Sequence, residues 1–480
     1  MIILLIVTLL IGIILILFTN SQSVKSIKNI GLLTSFVALW ISIALWSFHT
    51  PESFFQFNSS NYWGLLVSSS IQWGPIHFAV DEISLPFIML TGLLTPICIL
   101  ISWTSINFLV KQFVLLLLII HLLLVGVFTS LNILLFYITF EGILIPMFLI
   151  IGIWGARREK ERAAFYFFFF TLVGSLFMLL GIFKLYNFSG SLDYQVLSTI
   201  EIPKNLQTWV FVGFFLSLAV KVPKIPVHIW LPQAHVEAPV AGSVLLAGVL
   251  LKLGGYGFLR FSWTLFPLAS EFFSPFIVLL GSVAVIYASL STCRQTDMKK
   301  LVAYSSIAHM GLVTIAIFSK TFEGIIAAVI LMLAHGFISS GLFIAVTNLY
   351  DRLHTRTIRY YRGVVYTMPI FTTMFFLLLL GNIAFPISLN FIGEFLSIMS
   401  AFQFSFIAII CPLTGMVLSA AYSLVFFNKI SFGVPSNYVL LSRDLSRREF
   451  HSPISLIILS IILGLTPWLI NIGLTTPFSL

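Results

Sequence analysis

Apolar stretches of about twenty residues follow one another along almost the whole of this 480-residue chain, and nothing else in it limits the fold so strongly. A helix of that length spans the ~30 Å hydrocarbon core of a bilayer. It also keeps its backbone hydrogen bonds internal where water is absent. The pattern predicts an all-α integral membrane protein with about fourteen transmembrane helices. The spans fall near 1–18, 29–48, 86–107, 112–129, 131–154, 163–187, 207–232, 238–261, 272–292, 299–318, 323–349, 366–403 (broken), 404–428 and 453–471. Only 9% of the residues are charged, against about 25% in ordinary soluble domains. A soluble multidomain enzyme is thereby excluded.

The formal charge of +9 would suit nucleic acid until the basic residues are placed. On fourteen spans, one set of alternate loops collects Lys25, Lys28, Lys111, Arg157, Arg158, Lys160, Arg162, Arg294, Lys299, Lys300, Arg352, Arg356, Arg359, Arg362, Lys429, Arg443, Arg447 and Arg448. The other set holds Lys204, Arg260 and Lys320, with Lys184 near a span end. This is the positive-inside bias, and one missed helix would scramble it. It places both termini on the charge-poor side. The basic loops read as orientation signals and as contacts for lipid, such as cardiolipin, or for other subunits, and not for nucleic acid. The N-terminal MIILLIVTLLIGIILILF lacks a basic leader and a cleavage site, so a retained first span is expected. The pattern from Ser431 to His451 is too mixed to assign.

Charges inside spans carry the functional signal. Between Ala219 and Phe261 stand Lys221, Lys224 and Lys252, with His228 and His235 among them. A charge at bilayer depth costs a few kcal/mol or more, so such residues usually pair with one another or line an ion path. Pro223, Pro226 and Pro232 interrupt the helix there, as in the broken helices of transporters. Lys221, Lys224, His228 and His235 would share one stripe within about 60° in an unbroken helix, which these prolines rule out. Lys252 sits too deep for its side chain to reach the surface. Glu141, about ten residues into an apolar run, reads either as a span-end carboxylate or as a buried partner for a lysine. His309, His335 and Glu394 repeat the theme downstream, and each histidine alone reads equally as packing or as proton relay. Glu394 follows Asn382 and Pro386, so a second charge flanks a second break. The breaks fall in spans 7 and 12. An odd offset reverses direction, which implies an inverted internal repeat.

Cys98, Cys293 and Cys411 lie far apart and read as small apolar residues, not ligands. The chain has no Gly-rich phosphate loop, nucleophile elbow or HExxH, so no cofactor site is expected in it.

The stretches LAVKVPKIPVHIWLPQAHVEAPVAGSVLLAGVLLKLGGYGFLRF, DMKKLVAYSSIAHMGLV, LMLAHGFISSGLF and NFIGEF resemble the antiporter-like membrane subunits of respiratory complex I, from about residue 85 onward. The resemblance implies a translocase subunit of the proton-pumping NADH:ubiquinone reductase. NADH, FMN, iron–sulfur clusters and ubiquinone would be handled by other subunits. The expected location is the mitochondrial inner membrane, basic loops toward the matrix and termini toward the intermembrane space. The 49 phenylalanines fit an AT-rich organellar genome. Helices 1–3 (1–110) would precede inverted five-helix repeats at 111–262 and 263–430, with a matrix loop and helix 14 over 431–480. Among the sibling types, those numbered 2 and 5 carry lysine where this chain has Glu394, and both are expected as neighbours.

By the same resemblance, Glu141 and Lys221 form an ion pair, Lys252 is the central proton carrier, and His228, His309 and His335 lie on the connecting polar axis. Glu394 is the terminal site; His235 is a possible addition. Lys224 departs from the family, whose members usually have an apolar residue there, and reads either as an extension of the polar path or as a partner for a nearby carboxylate. Two other readings stand beside this one: a subunit of a sodium/proton antiporter complex with the same fold, and a structural spacer with its charges merely satisfied.

Overall fold

The computed structural model describes residues 1–49, 55–62, 75–440 and 442–470. Its first helices are α1 (Ile2–Phe18) and α2 (Val24–Ser47). A two-stranded antiparallel sheet follows, β1 (Gln56–Tyr62) and β2 (Pro75–Val80), pairing Gln56 with Val80 and Ser59 with Phe78. The sequence reading left this hairpin as part of a loop. Next come α3 (Ser84–Ser105), α4 (Val110–Thr129), α5 (Ile133–Gly142), α6 (Leu144–Trp154), α7 (Lys160–Ser189) and the short α8 (Tyr194–Thr199).

The first broken helix is α9 (Lys204–Lys221) and α10 (Trp230–Glu237), separated by a turn that holds Pro223 and Pro226. Pro232 is tolerated because it lies in the first turn of α10, where the missing N–H has no helical partner. Residues 240–265 then form one span with two wide π turns: α11 (Val240–Leu245), a π turn at Leu246–Leu250, α12 (Leu251–Gly257), a π turn at Phe258–Ser262, and α13 (Trp263–Leu265).

The second half comprises α14 (Pro267–Cys293), α15 (Met298–Phe318), α16 (Phe322–Leu353), α17 (Val364–Thr367), α18 (Pro369–Asn382), α19 (Leu389–Phe404), α20 (Phe406–Ser431) and α21 (Arg447–Leu465). The α18–α19 break contains Pro386, and its Ala384 and Ile387 hold positive φ angles of 61° and 90°. A β-branched residue at φ 90° is strained, and such strain persists only where packing enforces it. The Asn390 amide donates to Gly381 O (2.8 Å), and that of Asn382 to Ser423 Oγ (3.2 Å), so polar side chains support the opened backbone. Residues 432–440 form turns, and the unassigned stretch becomes helical at Arg447.

Among the described residues, eleven helical spans are long and apolar enough to cross a membrane. The spans at 240–265 and α16 are buried throughout, whereas α2, α20 and α21 bury a third or less and turn apolar side chains outward. A belt of exposed Phe169, Val173, Leu180, Phe276 and Val417 suits lipid or neighbouring subunits. The chain thus keeps the spans that bear Lys252 and His335 at its centre, and the rim helices carry their charges only near their ends.

Candidate functional site: a buried string of titratable groups

Lys252, on α12 between the two π turns, is fully buried. Its ammonium donates to the carbonyl of Ala247, in the first π turn, and lies 2.8 Å from His335 Nδ1. π turns of this kind are frequent at functional sites. His335, on α16, faces His309 of α15, with ring centroids 5.5 Å apart. His309 Nδ1 in turn lies 3.1 Å from Glu394 Oε1, on α19 just past the second break. All four side chains are at most 3% exposed. Residues scattered over 142 positions of sequence, from Lys252 to Glu394, therefore form one buried string, in which the two histidine rings are tilted by 50° and His309 makes no hydrogen bond among the described residues. Neutral imidazole accepts a proton at one ring nitrogen and can release one from the other, so two neighbouring histidines between an amine and a carboxylate suit proton transfer.

The first half is arranged differently. Glu141 sits at the C-terminal end of α5, beside the discontinuity before α6, and both carboxylate oxygens are buried without a hydrogen-bond partner. Lys221 ends α9 at the first break. The two groups act on each other electrostatically. They are not in contact, since no N–O distance between them falls within 4.0 Å. Instead the Lys221 ammonium lies 4.5 Å from the Phe140 ring centroid, one residue before Glu141. Span 240–265 presses on the break: a Cβ at Gly254 would come within 2.4 Å of Val222 Cγ2 and 2.9 Å of Leu218 O. Only glycine permits that approach.

The remaining sequence candidates separate. Lys224 is 5.4 Å from the Phe215 ring and 5.8 Å from those of Phe258 and Phe318, with no carboxylate within 4.0 Å among the described residues. The carboxylate partner considered for it is not there, and the aromatic faces receive its charge instead. His228 lies in the turn between α9 and α10, its ring 5.5 Å from Tyr287, outside the string. His235 stacks on Phe343 at 4.5 Å, and its electrostatic neighbours are Lys252 and Lys299. The single stripe of Lys221, Lys224, His228 and His235 is not realised, because the chain leaves the helix at Lys221.

Three groups placed in loops by the sequence reading are buried. Lys299 donates to Ala238 O (3.0 Å) and Arg356 to Val236 O, so two cations cap the C-terminal end of α10 and oppose its dipole. Arg356 also lies 3.8 Å from Glu237. Arg260, assigned to a charge-poor loop, forms a buried ion pair with Asp81 at 2.7 Å. Its spacing of four and eight residues from Tyr256 and Lys252 was the signal that could have revealed it. Of the cysteines, Cys98 is buried and Cys293 is exposed.

Residues 130–419 match the family model described as NADH:quinone oxidoreductase/Mrp antiporter, transmembrane. The chain is similar to the "NADH-ubiquinone oxidoreductase chain 4" of Metridium senile, 57% identical over 94% of this chain and 92% of that relative. The protein of the same name in Chondrus crispus is 47% identical over 95% and 92%. A chain of respiratory complex I from Thermus thermophilus, solved with bound NADH, superposes with a TM-score of 0.89 at 26% identity, covering 100% of this chain and 98% of that one. An archaeal membrane-bound sulfane sulfur reductase shares the fold, with a TM-score of 0.83 at 22% identity over 96% and 75%.

Proposed function

The chain belongs to the NADH:quinone oxidoreductase/Mrp antiporter family, and from that premise we propose how its buried groups move protons. It is a membrane-arm, proton-pumping subunit of NADH:ubiquinone oxidoreductase, multi-pass in the inner membrane, with other complex I subunits as its partners. Nicotinamide and quinone chemistry belong to those partners. Close relatives carry the complex I name, which disfavours the sodium/proton antiporter reading; that reading needs sodium-dependent transport without NADH oxidation.

The observation that carries the proton path is the buried string Lys252–His335–His309–Glu394. Lys252 is its donor. Burial in low dielectric disfavours a lysine's charge, and a nearby second positive charge disfavours it further. Lys221 supplies that second charge, under the control of Glu141. The lysine rests on the Phe140 face, and in this scheme it moves to and from the Glu141 carboxylate one residue away. A pair closed to 4 Å gains about 4 kcal/mol at an effective dielectric near 20, before desolvation. Carrying one proton against about 150–200 mV costs about 3.5–4.5 kcal/mol. The two scales match, so opening one such pair can drive one proton from Lys252 through His335 and His309 to Glu394. His228 and His235 border this axis; Lys224 does not join it.

The rest of the architecture follows the same reading: fourteen crossings, inverted repeats over 111–262 and 263–430, basic loops toward the matrix and termini toward the intermembrane space. Subunits of types 2 and 5 adjoin it, with anionic lipid such as cardiolipin at the basic loops. The test is the proton-to-electron ratio of NADH oxidation in native membranes carrying Glu141→Gln, with assembly checked in parallel. A lowered ratio in an assembled complex is expected. An unchanged ratio would make Glu141 a structural carboxylate and remove the drive from this scheme.

A further inference from the structure

Lys252, Tyr256 and Arg260 follow one another up the span at intervals of four, so the same helix that feeds His335 also points toward the charge-poor face. The rise from Lys252 to Arg260 is about 12 Å. A proton on Lys252 thus has two directions open to it, sideways into the histidines or along this face. The structure closes the second direction.

Arg260 is buried, and a guanidinium does not give up its proton in a protein. Its Nε end meets the Tyr256 hydroxyl at 3.3 Å and its Nη2 end meets Asp81 Oδ1 at 2.7 Å, so the cation stands between Tyr256, one turn from Lys252 in sequence, and Asp81. Three rings hold it, Phe55 and Tyr194 at 5.4 Å and Tyr256 at 5.7 Å. Asp81 is fixed in turn by the Ser84 N–H at 3.0 Å, at the start of α3. The Tyr256 hydroxyl accepts from Arg260 and donates to Phe128 O at 3.2 Å, so both of its roles in a proton chain are taken. A second buried polar pair, His77 in β2 and Asp193 just before α8, stands at 3.2 Å, and Tyr194, whose ring packs on Arg260, follows Asp193. The end of the string in the second half is the opposite in kind, a carboxylate that can take a proton.

We propose that the Arg260–Asp81 pair is an electrostatic stopper, which seals the charge-poor end of the first half and routes the proton of Lys252 through His335. It rests on the relay reading above. Fixed positive charge excludes protons from other membrane passages in the same manner. The pair is a positioning element: it exchanges no proton and decides where the proton goes.

The experiment uses sealed native membrane vesicles bearing the assembled complex. Removing both charges together, in Asp81→Asn/Arg260→Gln, leaves no unpaired charge buried, so assembly is retained. Passive proton conductance is expected to rise several-fold and the proton-to-electron ratio to fall, while NADH oxidation keeps its rate. Arg260→Lys, which retains the charge, stays coupled. An assembled double variant with unchanged conductance and ratio overturns the proposal. Should the double variant not assemble, Arg260→His decides, because its charge can be titrated between about pH 5 and 8. Its leak must be small when the imidazole is charged and grow as pH rises; a leak flat across that range marks lost packing and overturns the stopper. Adding Lys252→Met separates the two readings. A leak that vanishes supports both; one that persists overturns Lys252 as its source, and the relay itself is judged independently by the Glu141→Gln ratio.

Discussion

Replacing Glu394 by glutamine keeps the side chain's shape and removes the carboxylate at the end of the string. In the native chain Glu394 Oε1 lies 3.1 Å from His309 Nδ1, both buried. A proton resting on His309 and the charge on Glu394 attract by about 5 kcal/mol at that distance and an effective dielectric near 20. Breaking buried pairs by removing one partner costs about 3–5 kcal/mol in practice. At about 1.4 kcal/mol per factor of ten, this end of the string is disfavoured roughly a hundred- to several-thousand-fold. The loss is on the scale of the ~3.5–4.5 kcal/mol of a 150–200 mV potential, so this subunit's share of pumping stops. Glu394→Asp retracts the carboxylate by about 1.5 Å, one bond length, leaving about 3.5 kcal/mol of attraction. That variant should pump, slowed by roughly ten- to thirtyfold at this step. The assay is proton release per electron pair in sealed vesicles, with assembly verified on native gels. A Glu394→Gln complex that assembles and keeps the native ratio would refute the reasoning, and so would an aspartate variant no better than glutamine.

A serial relay makes a second expectation: His335→Gln lowers the ratio as Glu394→Gln does, and the double variant is no worse than either alone. Additive losses in that cycle would mean parallel routes. Lys224→Leu should keep full coupling, since its ammonium meets three rings and no carboxylate. Its thermal midpoint should rise, an unmet buried polar group costing about 1–3 kcal/mol; loss of pumping would return Lys224 to the path. Burial, reinforced by the neighbouring Asp81 carboxylate, pushes Glu82 up to about 7 from its ordinary 4.5. The folded chain then holds a proton that the unfolded chain releases, so the Glu82 contribution is full at acid pH and declines between about pH 4.5 and 7. Dissociation midpoints measured across that range should fall with pH in the native complex and flatten in Glu82→Gln.

The groups on the string were legible as isolated charges inside apolar runs, and both breaks announced themselves through proline. Their connection was not. His309 and Glu394 meet only because α15, α16 and α19 pack together, a tertiary fact without trace in local spacing. Charges near span ends misled most. Arg260, Lys299 and Arg356 read as loop cations, yet each is drawn inward by a partner distant in sequence: Asp81, the Ala238 carbonyl and the Val236 carbonyl. The β1–β2 hairpin was missed because short polar strands such as Gln56–Tyr62 carry no apolar alternation. Lys224 was legible as a departure, but whether a carboxylate would come near it depended on helix packing.

The two π turns make the span at 240–265 unequal in its tolerance of length. Each wide turn accommodates a surplus residue locally, so α12 is held between two insertions that fix its azimuth. Deleting one residue from Leu246–Leu250 would let that turn close into ordinary helix while its flanks kept their register, and Lys252 would go on facing His335. A deletion from regular helix has no bulge to draw on, and one side would swing by about 100° relative to the other. A lineage can therefore lose a residue at a π turn far more cheaply than a turn away from it.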